Sequence, residues 1–284
     1  MLMLKKWLFF ACLMAGVASG VAQPGPVVSA RIVAVTEGGK EGRFSVPQVQ
    51  LSNAAVARRI NRRIVELVMS EQTNPKLSVR QQLRQAERTC CYDGENGRGW
   101  NTVGQGLTGC DYSVLLNQQG ILSLAYWREY TGAYQWEQAL HVTFDLRTGS
   151  QLTLADLVAD PPAQLMRRMH GAISRRFGES LTHMKSGKED SSRISFVAEL
   201  FCWDWDARRV RFASDSELAD EASATEPTLE DFALTPHELQ LYYGPVLPHI
   251  LIYLEPDDTY HFPYTRIQPR GLLVPVAKAA LAKK

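Results

Sequence analysis

Residues 112–149, YSVLLNQQGILSLAYWREYTGAYQWEQALHVTFDLRTG, decide the fold class of this chain. Leu122, Leu124 and Tyr126 recur at every second position, which is the period of a strand with one buried face. Turn residues separate three such runs, so the stretch predicts strands over residues 112–117, 120–130 and 140–146.

Helical and further β patterns flank this stretch. A helix is predicted to begin after Asp160, with two prolines in its first turn, and to end at Gly178, because every fourth residue between them is apolar. Residues 194–203 fit either a helix or a strand. The other predicted strands cover residues 30–35, 231–234, 239–243 and 250–254. The other predicted helices are one over 53–70 capped by Ser52, a weaker one over 77–89, and a short C-terminal helix after residues 262–267.

Strands and helices occur in blocks along the chain, which is typical of the α+β class. We therefore expect antiparallel sheets with helices packed on one face, and two β groups in one compact unit. No repeat or linker divides the mature chain. Its predicted halves are an N-terminal α/β half over residues 23–180 and a C-terminal α+β half over residues 181–284.

Residues 1–22 have the pattern of a secretory signal peptide. Lys5 and Lys6 precede an apolar run over residues 7–17, and small residues follow, with Gly20 and Ala22 at the −3 and −1 positions of a cleavage site. The run is shorter than the roughly 20 residues that span a bilayer. We expect cleavage after Ala22 and a periplasmic or extracellular protein. The alternatives are an uncleaved anchor and a lipid attached to Cys12.

Composition and charge exclude two classes of protein. Hydrophobic residues make up 45% of the 284-residue chain, charged residues make up 21%, and the formal net charge is +1. Loss of Lys5 and Lys6 with the leader leaves 29 of the 31 basic residues against 30 acidic ones, a net charge of −1. Such a chain is neither disordered nor a nucleic-acid binder, which would have a basic stripe. We also expect no transmembrane segment after signal removal.

The cysteine count agrees with export. Four cysteines remain without Cys12, and an even number in an oxidising compartment favours two disulfides. Adjacent cysteines rarely bridge each other, so Cys90 and Cys91 are predicted to pair outward, one with Cys110 and the other with Cys202, in either order. A zinc site is the alternative, but the sequence lacks the Cys-x-x-Cys spacing that such sites use.

Several runs resemble a known extracellular module that has no assigned activity in most of its members. They are Tyr112-Ser-Val, Gly120-Ile-Leu-Ser-Leu, Val142-Thr-Phe-Asp-Leu-Arg-Thr-Gly149, Leu152-Thr-Leu-Ala-Asp-Leu157 and Phe262-Pro-Tyr-Thr-Arg-Ile. The module is shared by the lysozyme-sensing anti-sigma factor RsiV and the N-terminal region of the peptidoglycan deacetylase PdaC. The likeness covers roughly residues 30–280. Thr131-Gly132-Ala133-Tyr134 stands where members often have Gly-Gly-Ala-His, so no role of that histidine carries over.

The resemblance implies a non-catalytic cell-envelope module that binds a secreted, lysozyme-like protein or a peptidoglycan or other cell-wall glycan. Only six residues precede the apolar run, too few for the cytoplasmic part of an anti-sigma factor, and no deacetylase domain follows before Lys284. We therefore expect the module alone, without a cofactor or a metal.

Two aromatic groups are the candidate ligand surface. The first surrounds the turn between the second and third strands of the opening stretch, and the second is the run Trp203-Asp204-Trp205-Asp206. An exposed indole or phenol ring offers a flat apolar face and a hydrogen-bond donor, and binding modules place such groups in loops at strand ends. The candidate ligand-binding residues are Tyr126, Trp127, Tyr130, Tyr134, Trp136, Trp203 and Trp205.

A cell-wall hydrolase with paired carboxylates is the alternative function. Asp257 or Asp258 with Glu255 would supply the two acids that such enzymes need, and His261 nearby extends the group to a metal-ligand pattern. The same run is also typical of a polar turn. The sequence contains no Gly-x-Ser-x-Gly elbow, no His-Glu-x-x-His and no phosphate-binding loop, so it predicts no catalytic residue.

Overall fold

The computed structural model describes residues 29–38, 44–70, 73–93, 99–100, 106–215, 223–244 and 254–282. The helices in these residues are α1 Ala54–Met69, α2 Val79–Cys91, α3 Leu154–Leu157, α4 Pro162–Ser186, α5 Ser191–Leu200 and α6 Leu273–Ala282. The strands are β1 Arg31–Glu37, β2 Phe44–Gln50, β3 Tyr92–Asp93, β4 Gly99–Trp100, β5 Gly106–Gln118, β6 Ile121–Thr131, β7 Gln135–Asp145, β8 Trp203–Asp204, β9 Arg209–Val210, β10 Phe232–Leu234, β11 Glu238–Tyr242 and β12 Thr259–Pro263. The predicted α+β class is confirmed.

A five-stranded sheet of order β1-β2-β5-β6-β7 forms the larger β group. Its last three strands are the predicted meander, in which Leu124 lies opposite both Val114 and Val142. β1 and β2 form an antiparallel pair, and β2 joins β5 in parallel, with Phe44 opposite Cys110. The sequence did not predict β2, whose run contains Pro47, a residue that weakens a strand pattern.

The first hydrophobic core lies between α1, α2 and one face of this sheet. α1 begins one residue later than predicted, because the side chain of Asn53 and not of Ser52 accepts the free backbone N–H groups of the first turn. The fully buried side chains of this core include Phe44, Val46, Ile60, Ile64, Leu83, Leu122, Leu124 and Phe144.

The opposite face of β6 and β7 contacts a three-stranded sheet of order β10-β11-β12. The hydroxyls of Ser123 and Thr143 lie 3.0 Å apart across β6 and β7, and Ser123 Oγ accepts the backbone N–H of Leu234 on β10 at 3.0 Å. The second hydrophobic core extends from this sheet to α4, α5 and α6. Buried hydroxyls therefore connect the two β groups.

The third strand of the smaller sheet differs from its prediction. Of the predicted strand over 250–254, residues 250–253 lie outside the described residues, and Leu254 belongs to a short 3-10 turn. β12 takes the edge position instead, with Leu239 opposite Phe262. Its buried residues Tyr260 and Phe262 alternate with exposed His261, as expected of a strand with one buried face.

α4 continues past Gly178, where the sequence predicted its end, and reaches Ser186. A Cβ at Gly178 would lie 2.9 Å from Cη2 of Trp203, so this glycine permits the β8–β9 hairpin to pack against the helix. The helix ends where the N–H of Gly187 donates to the carbonyl of His183 at 2.8 Å. Helix α5 settles the ambiguous segment 194–203, most of which is helical.

The predicted pairing of the cysteines is wrong in this structure. Cys90 and Cys91 are bonded to each other at the end of α2, and Cys110 and Cys202 are buried free thiols. Cys110 belongs to the first core, where its Sγ lies 3.7 Å from the carbonyl of Ser45. Cys202 lies two residues after the end of helix α5, which packs in the second core. Burial raises the pKa of Cys110 to about 12, so this thiol stays protonated.

No helix in the described part of the chain is long and apolar enough to cross a membrane. The predicted signal peptide and Cys12 lie outside the described residues.

Candidate functional site

The structure divides the first predicted aromatic group between the two faces of the β6–β7 hairpin. Tyr126 is fully buried in the first core. Tyr130 and Trp136 lie opposite each other on that same face and stack with ring centroids 4.5 Å apart. Trp127 belongs to the other face, because neighbouring residues of a strand point in opposite directions. Tyr126 is therefore a core residue and not a contact residue.

The hairpin tip is the more exposed part of this group. Tyr134 is 68% exposed and Trp136 is 52% exposed. Arg128 connects the tip to the end of α1. Its guanidinium donates to the carbonyl of Leu67 at 3.2 Å and to Ser70 Oγ at 2.8 Å. The same group lies 5.6 Å from the ring centroid of Tyr130. The tip thus presents rings on a fixed base.

The second aromatic group lies elsewhere, on the β8–β9 hairpin. Trp203 is half-buried with its ring edge against Phe177, and Trp205 is 48% exposed. Trp203 and Trp205 line one cavity with α4, whereas Trp127 lines another. The two predicted aromatic groups do not form one patch.

Trp127 lies in a cavity between the two sheets that we call the sheet groove, with a volume of about 350 Å³. One wall comes from β5, β6 and β7 of the larger sheet, and the other from β11, β12 and the turn before β12. The sheet groove is lined by Leu115, Ala125, Trp127, Ala139, His141, Gln240, Tyr242, Asp257, Asp258, Thr259 and His261.

Two stacked rings form the floor of the sheet groove. His141 and Tyr242 lie nearly parallel, at an angle of 4°, with ring centroids 3.5 Å apart. Nδ1 of His141 lies 2.8 Å from Oδ1 of Asp231, and the imidazole is almost fully buried. A buried ring that is both stacked and hydrogen-bonded has little freedom to turn.

Polar side chains along β11 and β12 form a connected network. Nδ1 of His261 lies 2.6 Å from Oε1 of Glu238, which also accepts from the amide of Gln240 at 3.1 Å. The hydroxyl of Tyr242 donates to Oε1 of Gln240 at 2.9 Å. Burial, followed by the charge of Asp231 and other carboxylates, raises the pKa of Tyr242, so the phenol stays protonated and serves as a donor.

The carboxylates of the turn before β12 stand at the rim. Oδ1 of Asp257 accepts the N–H of Thr259 at 2.8 Å, and Oδ1 of Asp258 accepts its hydroxyl at 3.0 Å, which is the predicted polar turn. The guanidinium of Arg176 donates to the carbonyls of Asp257 and Thr259 at 2.5 and 2.6 Å. Burial and then the charge of Asp258 raise the pKa of Glu255.

The sheet groove combines an exposed indole with two lining carboxylates, and none of its lining residues is a lysine or arginine. Such a surface attracts cationic groups and hydroxyl donors. The described residues contain no group of three or more His, Cys, Asp and Glu side chains that could hold a metal ion. The sequence pointed to Trp127, Asp257, Asp258 and His261 separately, but missed that His141 and Tyr242 join them, since that requires the packing of β7 against the smaller sheet.

Comparison with known proteins finds solved structures of similar fold, and two of them are described here. No protein-family model matches the sequence, and no curated protein matches it significantly. A crystal structure of a member of the DUF3298 family from Bacteroides fragilis is 13% identical, with a TM-score of 0.47 over 90% of this chain and 98% of that one. A DUF3298 family protein from Pseudomonas aeruginosa is 13% identical, with a TM-score of 0.44 over 87% and 95%.

The link to RsiV and PdaC stays a prediction of the sequence. The structural neighbours of this chain are proteins of the uncharacterised DUF3298 family.

Proposed function

We propose that this chain is an exported, non-catalytic binding module of the cell envelope, and that its sheet groove receives a basic side chain of a secreted, lysozyme-like protein. The leader pattern and the sequence resemblance support export and the class of partner. The observation that carries the proposal is the pairing of an exposed indole, Trp127, with the carboxylates of Asp257 and Asp258 in a groove without a basic lining residue.

A lysine or arginine fits this chemistry. A guanidinium or ammonium is attracted to the face of an indole, and a carboxylate beside the ring adds a charge-assisted hydrogen bond. The neighbouring acids Asp231 and Glu238 already bind His141 and His261, and Oδ1 of Asp257 lies 3.7 Å from a guanidinium nitrogen of Arg176. Asp258 is therefore the carboxylate of the groove that has no ion pair within the described residues. The exposed rings of Tyr134 and Trp136 at the hairpin tip provide a second contact outside the groove.

Isothermal titration with a basic muramidase tests the proposal. Trp127→Ala and Asp258→Asn should each weaken binding about 10-fold, the size expected for a cation–π contact or a charge-assisted hydrogen bond. Glu199→Gln removes an exposed carboxylate on α5 outside the groove and is the matched control. Cytochrome c, a basic protein without muramidase activity, controls for unspecific charge attraction.

Three results would contradict the proposal: equal binding of cytochrome c, equal losses in the control variant, or no binding to the muramidase. Peptidoglycan fragments form a separate arm of the titration. Binding of the fragments that depends on Trp127, with no binding of the protein, would identify the groove as a glycan site instead.

A second candidate is hydrolysis of a cell-wall glycan, which the state of Glu255 favours. A carboxyl group with a raised pKa beside an ionised carboxylate is the arrangement of a glycosidase acid and its partner. A Cβ on Gly244 would lie 3.4 Å from Cβ of Asp258 and 3.7 Å from Oε1 of Glu255, so both side chains approach the same backbone position. Turnover of labelled peptidoglycan that Glu255→Gln abolishes would establish this function, and the absence of turnover would dismiss it.

A further inference from the structure

A larger cavity lies between α4 and the β8–β9 hairpin, and we call it the helix groove. Its volume is about 770 Å³, within the range of pockets that bind organic ligands. The aromatic wall consists of Trp203 and Trp205, the second aromatic group of the sequence. The helix groove is lined by Ser174, Arg175, Gly178, Glu179, Leu181, Thr182, His183, Lys185, Ser186, Trp203, Trp205 and Arg208.

The charges of the helix groove are opposite in sign to those of the sheet groove. Arg175, Lys185 and Arg208 line it against a single acid, Glu179. In the described part of the chain none of these three cations forms an ion pair. Unpaired cations that converge on one cavity create a positive potential, which favours an anionic ligand.

Asp204, on strand β8 of the hairpin, forms no ion pair with these cations within the described residues. Oδ1 of Asp204 accepts the backbone N–H groups of Asp206 and Ala207, at 2.9 and 2.8 Å, and so closes the turn between β8 and β9. The N–H of Ala207 is the main cause of the lowered pKa of Asp204. Lys185 meanwhile holds its ammonium 4.3 Å from the ring centroid of Trp205, which keeps this cation at the wall of the groove.

Arg208 occupies a backbone position that normally favours glycine or asparagine. Its φ is +51°, in the left-handed region, where a residue with a Cβ pays a conformational cost. A glycine there would ease the hairpin turn but would remove a cation from the groove.

We infer that the helix groove binds an anionic saccharide, that is, a sugar chain with carboxylate or phosphate groups. The cations would pair with its acidic groups, and the exposed indole of Trp205 would pack on the apolar face of a sugar ring. The hydroxyls of Thr182 and Ser186 donate to backbone carbonyls of α4, and their oxygens remain acceptors for sugar hydroxyls. The indole N–H of Trp203 is buried in the same wall without an acceptor in the described residues.

Fluorescence titration of the full chain tests this inference. The probes are a hexasaccharide of galacturonic acid, an equally long oligosaccharide with phosphate monoesters, a neutral maltohexaose and polyglutamate. We expect one or both anionic saccharides to bind, and binding to weaken as salt rises. Arg208→Gly should weaken it about 10-fold, the effect of losing one charge-assisted contact. Trp205→Ala should weaken it by a similar factor.

Lys188→Gly is the matched control. Lys188 is also a cation in the left-handed region, with φ +63°, and it follows α4 without lining the groove. Both glycine variants remove one positive charge and relieve one backbone position, so the fold should be at least as stable in each. Weaker binding in Arg208→Gly alone supports a site. Equal losses in both variants, no loss in either, or binding of polyglutamate or maltohexaose as tight as that of the anionic saccharides would overturn the inference.

Discussion

The two grooves differ in how their charged groups are satisfied. In the sheet groove the imidazoles of His141 and His261 each contact a carboxylate, and Arg176 fixes the turn that carries Asp257 and Asp258. In the helix groove Arg175 and Arg208 make no such contact within the described residues. One groove is therefore built by interactions within the protein, and the other keeps cations available for a partner.

This difference predicts different responses to mutation. A side chain in a connected buried network supports both shape and binding, so its loss destabilises the fold. An unpaired surface cation supports binding alone, so its loss leaves stability nearly unchanged. Substitutions in and beside the two grooves test whether their residues differ in this way in their contribution to stability.

His141→Ala should have the largest effect on stability. It removes the ring beneath Tyr242 and leaves Asp231 without its partner, so we expect a loss of about 2–4 kcal/mol in the free energy of unfolding. Denaturant unfolding measures it. The control is His237→Ala, which removes an exposed imidazole at the start of β11 and should change the free energy by less than about 0.5 kcal/mol. Equal effects would mean that the stacked pair is not the support of the sheet groove.

Gly178→Ala should have the next largest effect, on the helix groove. The added Cβ would press against the indole of Trp203, so we expect a net loss of about 1–2 kcal/mol despite the better helix propensity of alanine. Gly171→Ala on the same helix meets no atom within 4 Å and should gain about 0.5–1 kcal/mol. If both variants gain stability, the packing of the hairpin against α4 is looser than the structure shows.

The sequence predicted the elements better than their contacts. Period and turn residues located the meander and α4, because these signals are local. Gly178 has the pattern of a helix end, because the sequence does not show that Trp203 lies over it. Trp127 was grouped with Tyr126 for a similar reason: the alternation of a strand separates them, but only the packing of the sheets shows which face is the core.

The candidate site depended most on such long-range contacts. The sheet groove combines five strands, β5, β6, β7, β11 and β12, with a turn, and the segments that carry Trp127 and Asp258 are far apart in the chain. The aromatic and acidic residue types that make the site were recognised, but their partners His141 and Tyr242 were not. Periodicity identifies a polar position on a strand without indicating what packs against it.

Reduction of the protein tests whether a disulfide connects the first core to the helix groove. The outward pairing predicted from the sequence would have included Cys202, which directly precedes Trp203. The bond between Cys90 and Cys91 instead joins neighbouring residues, so it restricts the unfolded chain very little. Reduction should therefore change the free energy of unfolding by less than about 1 kcal/mol, whereas a bridge that closes a loop of roughly 100 residues contributes nearer 5 kcal/mol. If reduction lowered the free energy of unfolding by several kcal/mol, the result would support the outward pairing that the sequence predicted.

Glu255→Gln should have the smallest effect, and its sign depends on pH. The pKa of Glu255 is raised above 4.5 in the folded protein, so the folded state binds this proton more tightly than the unfolded state does. The carboxyl group therefore favours folding below about pH 4.5 and opposes it as the pH rises through the raised pKa.

At pH 7 the glutamine variant should be more stable than the parent protein by less than about 1 kcal/mol, because partial exposure of Glu255 screens the effect. Near pH 3.5 the two should be equally stable, and Glu199→Gln should change nothing at either pH. A gain of the same size at both values would mean that the amide packs better, without any effect of charge. A gain confined to pH 7 would show that Glu255 costs stability where it stands, as expected of a carboxylate kept for binding or chemistry rather than for the fold.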